Sequence, residues 1–433
     1  AAGAQAPSGD NCQPWRLARR PRALDLHLDP GADGSFFNVR QMASVIACGA
    51  ALENILLAAT RYGLEGRAAV FPDPSQPTLA ARIELEATGV AEDPRQRFIW
   101  ERHTNRTPYD GRPLAERDRE ELARAVDDLP GVRLSLLTER DAIRRAAALV
   151  RRADRIRVEH RPLHEHLQRM IRYTDEEARA KGDGFPLANL EAGAAGEWFL
   201  RATRSWGIMR VATALGMGRI VPMIAYQGVV GASAVGLVRV ADVTPEAFLL
   251  GGRAVERVWL TATRRGIDFQ PMTAVTLFRL RCQLEGTDAF QPRHRRLLRE
   301  LWPSYEALWG GEAPGRRTRG PGEDYTRPPG TLPGMDWPVE TVWFALGLTA
   351  FAGLSTGVGS VLALFVAIAR PHGKEGNRVR RLVLQCCHGV KPGRRHVAPK
   401  GLVGRHRLQI VEFREDAMND LGRLSIQDVE SLH

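Results

Sequence analysis

Two short runs concentrate the side chains that could do chemistry. The first, APSGDNCQPW from Ala6 to Trp15, opens a turn at Pro7 and continues through Ser8, Gly9, Asp10 and Asn11. Small polar residues favour turns because they tolerate unusual dihedrals or bond nearby backbone. Pro14 fixes its own φ and biases Gln13 toward extended geometry. The run presents a hydroxyl, an amide and exposed N–H groups on a stiff turn, which suits a planar, hydrogen-bonding ligand. The second run, FIWERHTNRTP from Phe98 to Pro108, sets Arg102, His103, Thr104 and Arg106 within five residues. Guanidinium forks match phosphate oxygens, and the hydroxyl between them adds a neutral donor. Each run alone also has an ordinary reading: a polar surface turn ahead of a strand, and a solvated basic helix end.

Together they say more. The first run resembles the Pro-Ser-x-x-Asn-x-Gln-Pro-Trp motif of the FMN-dependent nitroreductase family. That resemblance implies that Ser8 and Asn11 address the flavin ring or ribityl chain, with Pro7 shaping the turn. The second resembles the family's Arg-Arg/His-Ser-x-Arg/Lys motif. It implies that Arg102 and Arg106 hold the FMN phosphate, with His103 and Thr104 in support. The order is reversed from the ordinary family, where the phosphate motif comes first. It matches a divergent branch in which one chain carries two degenerate halves and imitates the usual homodimer. Phe248–Gly266 resembles the family's late Gly-x-Ala helix at the dimer or pseudo-dimer interface, and Gln270–Thr273 the segment after it. Lys181–Pro186 (KGDGFP) reads as a flexible loop and resembles the Asp-Gly element ahead of a mobile lid. The resemblance covers about residues 1–308.

The implied activity is an FMN-dependent oxidoreductase. NAD(P)H would deliver hydride to flavin N5, and a small electron acceptor, nitroaromatic- or quinone-like, would receive it. The chemistry is the cofactor's, so no general base is assigned. A flavin-binding protein without turnover is the alternative. Another is an accessory piece of a larger chain, since similar segments occur behind an adenylation domain of the ubiquitin-activating type. The chain begins Ala-Ala-Gly close to the first motif and reads as a fragment whose start is lost.

The elements that must position these residues imply an α+β fold of nitroreductase style. Helices surround a mixed or antiparallel sheet, in halves at 1–95 and 96–308. Alternating Leu24, Leu26 and Leu28 predict the one strand of the first thirty residues, Ala23–Leu28. Helical spacing of small apolar residues predicts Gln41–Tyr62, ended by Gly63. Strands are expected near 67–71, 81–85 and 132–137, and helices near 116–126 and 139–160. Thr138 is a plausible N-cap for the last of these. Val229–Val240 reads as a central strand. His160, His164 and His166 lie with Glu159 and Glu165 in a stretch rich in Arg and His; the recurring His and Glu could suit a metal, but without H-E-x-x-H spacing they are expected on a solvated helix face.

The five cysteines are odd in number, with no zinc-type spacing, and indicate a reducing, cytoplasmic compartment. The net charge is +11, yet residues 370–411 hold eleven Lys/Arg against Glu375. The first 369 residues carry only +5, which argues against a specific nucleic-acid partner for the main domain. Residues 309–340 are a Gly/Pro/Arg-rich linker. Residues 341–369 are twenty-nine without a charge, more than the roughly twenty that span a bilayer. That segment is expected as a transmembrane helix and membrane anchor. Phe344–Phe365 resembles the first membrane helix of ZIP metal transporters, whose metal-binding helices have no counterpart here. Residues 370–433 read as a basic, disordered tail.

Overall fold

The structure, a computed structural model, describes residues 1–310 and the backbone strand at 343–350. In chain order the elements are β1 (Trp15–Arg19), β2 (Ala23–Leu28), α1 (Met42–Thr60), β3 (Leu64–Val70), β4 (Leu79–Ala87), α2 (Glu116–Arg124), β5 (Val132–Leu137) and α3 (Arg140–Glu159). Then come α4 (Arg161–Met170), β6 (Ile171–Arg172), α5 (Asp175–Lys181), β7 (Phe185–Pro186), α6 (Gly193–Ala202), α7 (Trp206–Ala212) and α8 (Gly218–Val230). The chain continues through β8 (Ala234–Val240), α9 (Pro245–Arg264), β9 (Ile267–Pro271), α10 (Ala274–Glu285), α11 (Pro292–Trp309) and β10 (Trp343–Ala350).

Two four-stranded antiparallel sheets result, in the orders β1-β2-β4-β3 and β5-β8-β10-β9. The fold is α+β, as expected. The first sheet packs on α1, and α1 crosses α9. On the second sheet, Ala234, Val238 and Val240 of β8 face the core shared with α1 and α9. Val235 and Leu237 face the core built with α3, α10 and α11. Every residue of β8 is buried, which explains its valine-rich run without polar alternation.

The helix crossing is unusually close. A Cβ on Gly49 would lie 2.0 Å from the Leu249 carbonyl oxygen, and one on Gly252 would lie 1.9 Å from that of Ile46. Only glycine fits at either point. The contacts are reciprocal: an i, i+3 pair on α1 meets an i, i+3 pair on α9. Four residues beyond each glycine sits a buried carboxylate. Glu53 pairs with Arg253 at 2.8 Å and Arg257 at 2.6 Å, and Glu256 faces Arg102 at 3.4 Å.

Several expectations change. The first thirty residues hold two strands, because Trp15–Arg19 pairs with β2. Strand β8 begins at Ala234, and the apolar residues before it end α8. Glu139, not Thr138, occupies the N-cap of α3, with no side-chain bond. His160, His164 and His166 are buried, not solvated. Gln13 has φ +48°, left-handed rather than extended, because its N–H is held by the Ser8 hydroxyl at 3.0 Å. The linker from residue 311, the apolar segment at 341–369 and the tail at 370–433 lie outside the described residues, apart from Trp343–Ala350. Those eight residues form a strand rather than part of a helix, aligning Phe344 with Val238 and Leu348 with Phe269. A sheet edge on β8 offers unpaired N–H and C=O groups, and an extended Trp/Phe/Thr-containing run satisfies them.

Candidate functional site

The Pro7–Trp15 turn is built on strained backbone. Asp10, Asn11 and Gln13 all have positive φ, at 48°, 56° and 48°. Left-handed geometry is mild for Asp and Asn and costs about 1 kcal/mol for a longer residue. Pro7, Ser8 and Asn11 are half-buried. Cys12 is buried, and its thiol is pushed far up, first by burial and then by the Asp33 and Asp10 carboxylates. It is no nucleophile.

The turn is docked on the 182–184 loop. Asn11 Nδ2 donates to the Gly184 carbonyl at 2.6 Å, and Gly184 N–H donates back to the Asn11 carbonyl at 3.2 Å. Gln13 Nε2 reaches the Gly182 carbonyl at 3.4 Å. Gly184 is required twice over: its φ is +67°, and a Cβ would lie 2.2 Å from the Met170 carbonyl oxygen. Buried Arg172 donates to the Asp183 carbonyl at 3.0 Å and pairs with its carboxylate. The short β6–β7 pairing closes the arrangement. The loop expected to be flexible is therefore tied at both ends.

Arg102 and Arg106 come to the same region by different routes. Arg102 Nη2 donates to the Gln5 carbonyl at 2.7 Å, and its guanidinium lies over Trp259 at 4.4 Å. Its Nε points at Glu256, whose buried carboxyl is lifted to about 7, by burial above all and against the pull of Arg102. Arg106 N–H donates to the Glu191 carboxylate, and Arg106 Nη1 donates to the Asn189 carbonyl at 2.8 Å. Burial lowers the Arg106 pKa, while the Glu191 and Asp10 carboxylates pull it back up. Asp10 also lies 3.3 Å from His166 Nε2. His103 is exposed, with Nδ1 at 3.0 Å from the Glu101 carbonyl and Nε2 at 4.0 Å from Asp268. Thr104 is half-buried.

The structure thus brings the turn and Arg106 together and leaves His103 at the surface. Sequence reasoning missed Glu191, Asn189, Glu256 and His166. Glu191 and Asn189 lie in an irregular segment without periodicity, so no local signal marks them. Among the described residues, no group of three or more His, Cys, Asp or Glu could hold a metal ion.

No family model matches the chain. It is similar to the uncharacterized protein MT1398 of Mycobacterium tuberculosis, 29% identical over 279 residues. That match covers 63% of this chain and 38% of MT1398. It is also similar to the uncharacterized protein MT3212 of the same organism, 30% identical over 118 residues, covering 24% of this chain and 33% of MT3212. The chain therefore spans well under half the length of the relatives it matches.

Proposed function

We propose that this chain is an FMN-dependent NAD(P)H oxidoreductase of the nitroreductase type, with a nitroaromatic- or quinone-like acceptor. One observation carries the reading: the two motif segments adjoin in space. Arg102 reaches Gln5, 97 residues away in sequence, just ahead of the turn. Asp10 within the turn acts electrostatically on Arg106.

The residues fit a flavin in part. The Asn11 side chain uses its amide N–H on Gly184 and leaves its Oδ1 for a ligand. The Arg106 fork keeps Nε and Nη2 beyond its bond to Asn189, so a phosphate can take them. Thr104 supplies a hydroxyl two residues away. Arg102 does not fit as a phosphate ligand, because Gln5, Glu256 and Trp259 already engage its guanidinium. Its role is to fix the N-terminal segment against α9. Bound FMN would supply hydride transfer at N5, from NAD(P)H to the acceptor. The chain's residues would bind and orient the cofactor, through Asn11 Oδ1 and the part of the Arg106 fork that Asn189 leaves open.

The two sheets and the reciprocal Gly49/Gly252 crossing support two degenerate halves, an intramolecular imitation of the family homodimer. The bonded 182–184 loop favours a second reading, flavin storage without turnover, since a closed loop hinders NAD(P)H stacking. The longer relatives leave room for a role as one part of a larger protein.

The test is an absorbance spectrum of the full chain after mixing with FMN and desalting, then NADPH or NADH without oxygen. Retained flavin bands that bleach support the oxidoreductase. Retained bands that persist with both donors move the reading to storage. A folded chain that keeps no flavin sinks both.

A further inference from the structure

Helices α6, α7 and α8 carry an apolar surface that the other described residues leave uncovered. Leu215 is 82% exposed, Trp198 69%, Ile224 59%, Val211 56% and Ile208 54%. Ile208 and Val211 share one face of α7, and Leu215 follows them in the exposed turn at Thr213–Met217. The opposite side is committed to the protein. Met209 and Met217 are buried, and Pro222 and Val229 of α8 are buried too. Tyr226 and Val230 lie against the core built around α3.

Residues 206–230 are long and apolar enough to cross a membrane, with only 22% of their best window buried. They do not form one straight span, because Thr213–Met217 is a π-turn in which Gly216 has φ +108°. With one side docked on α3, the helices can lie in the plane of a membrane but not through it. Apolar side chains on such a face reach the boundary between headgroups and acyl chains.

Charge selects the occupant. Residues 193–230 contain Arg201, Arg204, Arg210 and Arg219 against the single acid Glu197. All four arginines are exposed, and Arg210 and Arg219 pair with no acid among the described residues. Two copies meeting through this face would bring like charges together across a two-fold axis. An anionic lipid surface instead neutralises each arginine while taking up the apolar side chains.

We propose that the face of Ile208, Val211 and Leu215, flanked by Trp198 and Ile224, rests on an anionic membrane surface. The full chain, its Leu215→Trp variant and its Ile208→Glu/Leu215→Glu variant would be mixed with phosphatidylserine-containing vesicles. The exposed positions tolerate these changes, and matching circular dichroism melts check that. Brominated lipids are expected to quench the added tryptophan of Leu215→Trp beyond the quenching of the parent. The double glutamate variant is expected to lose about tenfold in partition coefficient, because two inserted apolar side chains become charges. Equal quenching in parent and Leu215→Trp overturns the proposal, since any binding then belongs to another segment. So does a parent dimer that the double variant abolishes, which reassigns the face to a second copy.

Discussion

Glu256 has no exposed surface, and its carboxyl holds its proton up to about pH 7 because burial outweighs the pull of Arg102. In the unfolded chain the carboxyl titrates at its ordinary value, about 4.5. Between those values the native chain keeps a proton that the unfolded chain has released. The contribution to stability is therefore full below about pH 4.5 and is lost as pH rises through 7, on the order of 3 kcal/mol in all. Glu256→Gln cannot titrate, so the parent's urea midpoint is expected to fall from pH 5 to 8 by more than the variant's does, the difference being the Glu256 contribution. A variant slope equal to the parent's would show that Glu256 is not the source. Asp25 works in a separate window. Arg82 first, then Arg20, hold it at about 2, so its contribution is lost only as pH falls below the ordinary Asp range.

The two arginines of the second motif should separate in experiment. Arg106→Ala removes the part of the fork that Asn189 leaves open, and a charge-assisted phosphate contact is worth about 1.5–3 kcal/mol. FMN retention is then expected to weaken at least about tenfold, with the unfolding midpoint little changed. Arg102→Ala leaves Glu256 without its cation, so the midpoint falls while flavin affinity moves less. The reverse outcome, measured by flavin fluorescence titration and urea melts, would restore Arg102 as the phosphate ligand.

At the scale of elements, legibility followed periodicity. β2, β5, α3 and α9 each show a period of two or 3.6 residues, α1 is a long run of small apolar residues buried on nearly every side, and each appears within a few residues of its expected bounds. The region from α4 to α8 showed no such period, for two reasons. Most of its helices are short, and α4 buries polar side chains: His164, His166 and Gln168 all turn inward. A polar face reads as solvated unless its partners are known, and Asp10, the partner of His166, comes from the first turn of the chain. The candidate site was legible as two motifs, but the residues that fix them, Glu191 and Gly184, came from loops.

The α1–α9 crossing gives the sharpest element-level prediction. At Gly252 a methyl group would meet a backbone carbonyl at 1.9 Å, and a carbonyl cannot rotate aside as a side chain can. Gly252→Ala must push the helices apart, at a cost of about 3 kcal/mol or more from overpacking. Gly34→Ala is the control, since nothing lies within 4 Å of its added methyl. Paired thermal melts should show a large loss in the first and almost none in the second. Equal, small losses would mean that the crossing is wider than described.

At the scale of the molecule, the two sheets share one hydrophobic core. Leu26, Ala81 and Ile83 of the first sheet belong to the same buried cluster as Val132, Val238 and Phe269 of the second. Trp259 sits inside that cluster, stacked on Phe269 at 4.6 Å and covered by Arg102 from the motif segment. If the chain descends from two copies of a half, those halves have lost the means to stand apart, because each would expose one side of the α1–α9 crossing. Unfolding of residues 1–310 within the full chain should then be one cooperative transition. Near-ultraviolet dichroism, which reports the packed tryptophans, and far-ultraviolet dichroism, which reports the helices, are expected to share a midpoint. Two resolved midpoints would mean that one sheet unfolds while the other persists. The shared core would then be a contact between separately stable units, and the candidate site, built from the first turn and the second motif, would be lost at the lower of the two midpoints.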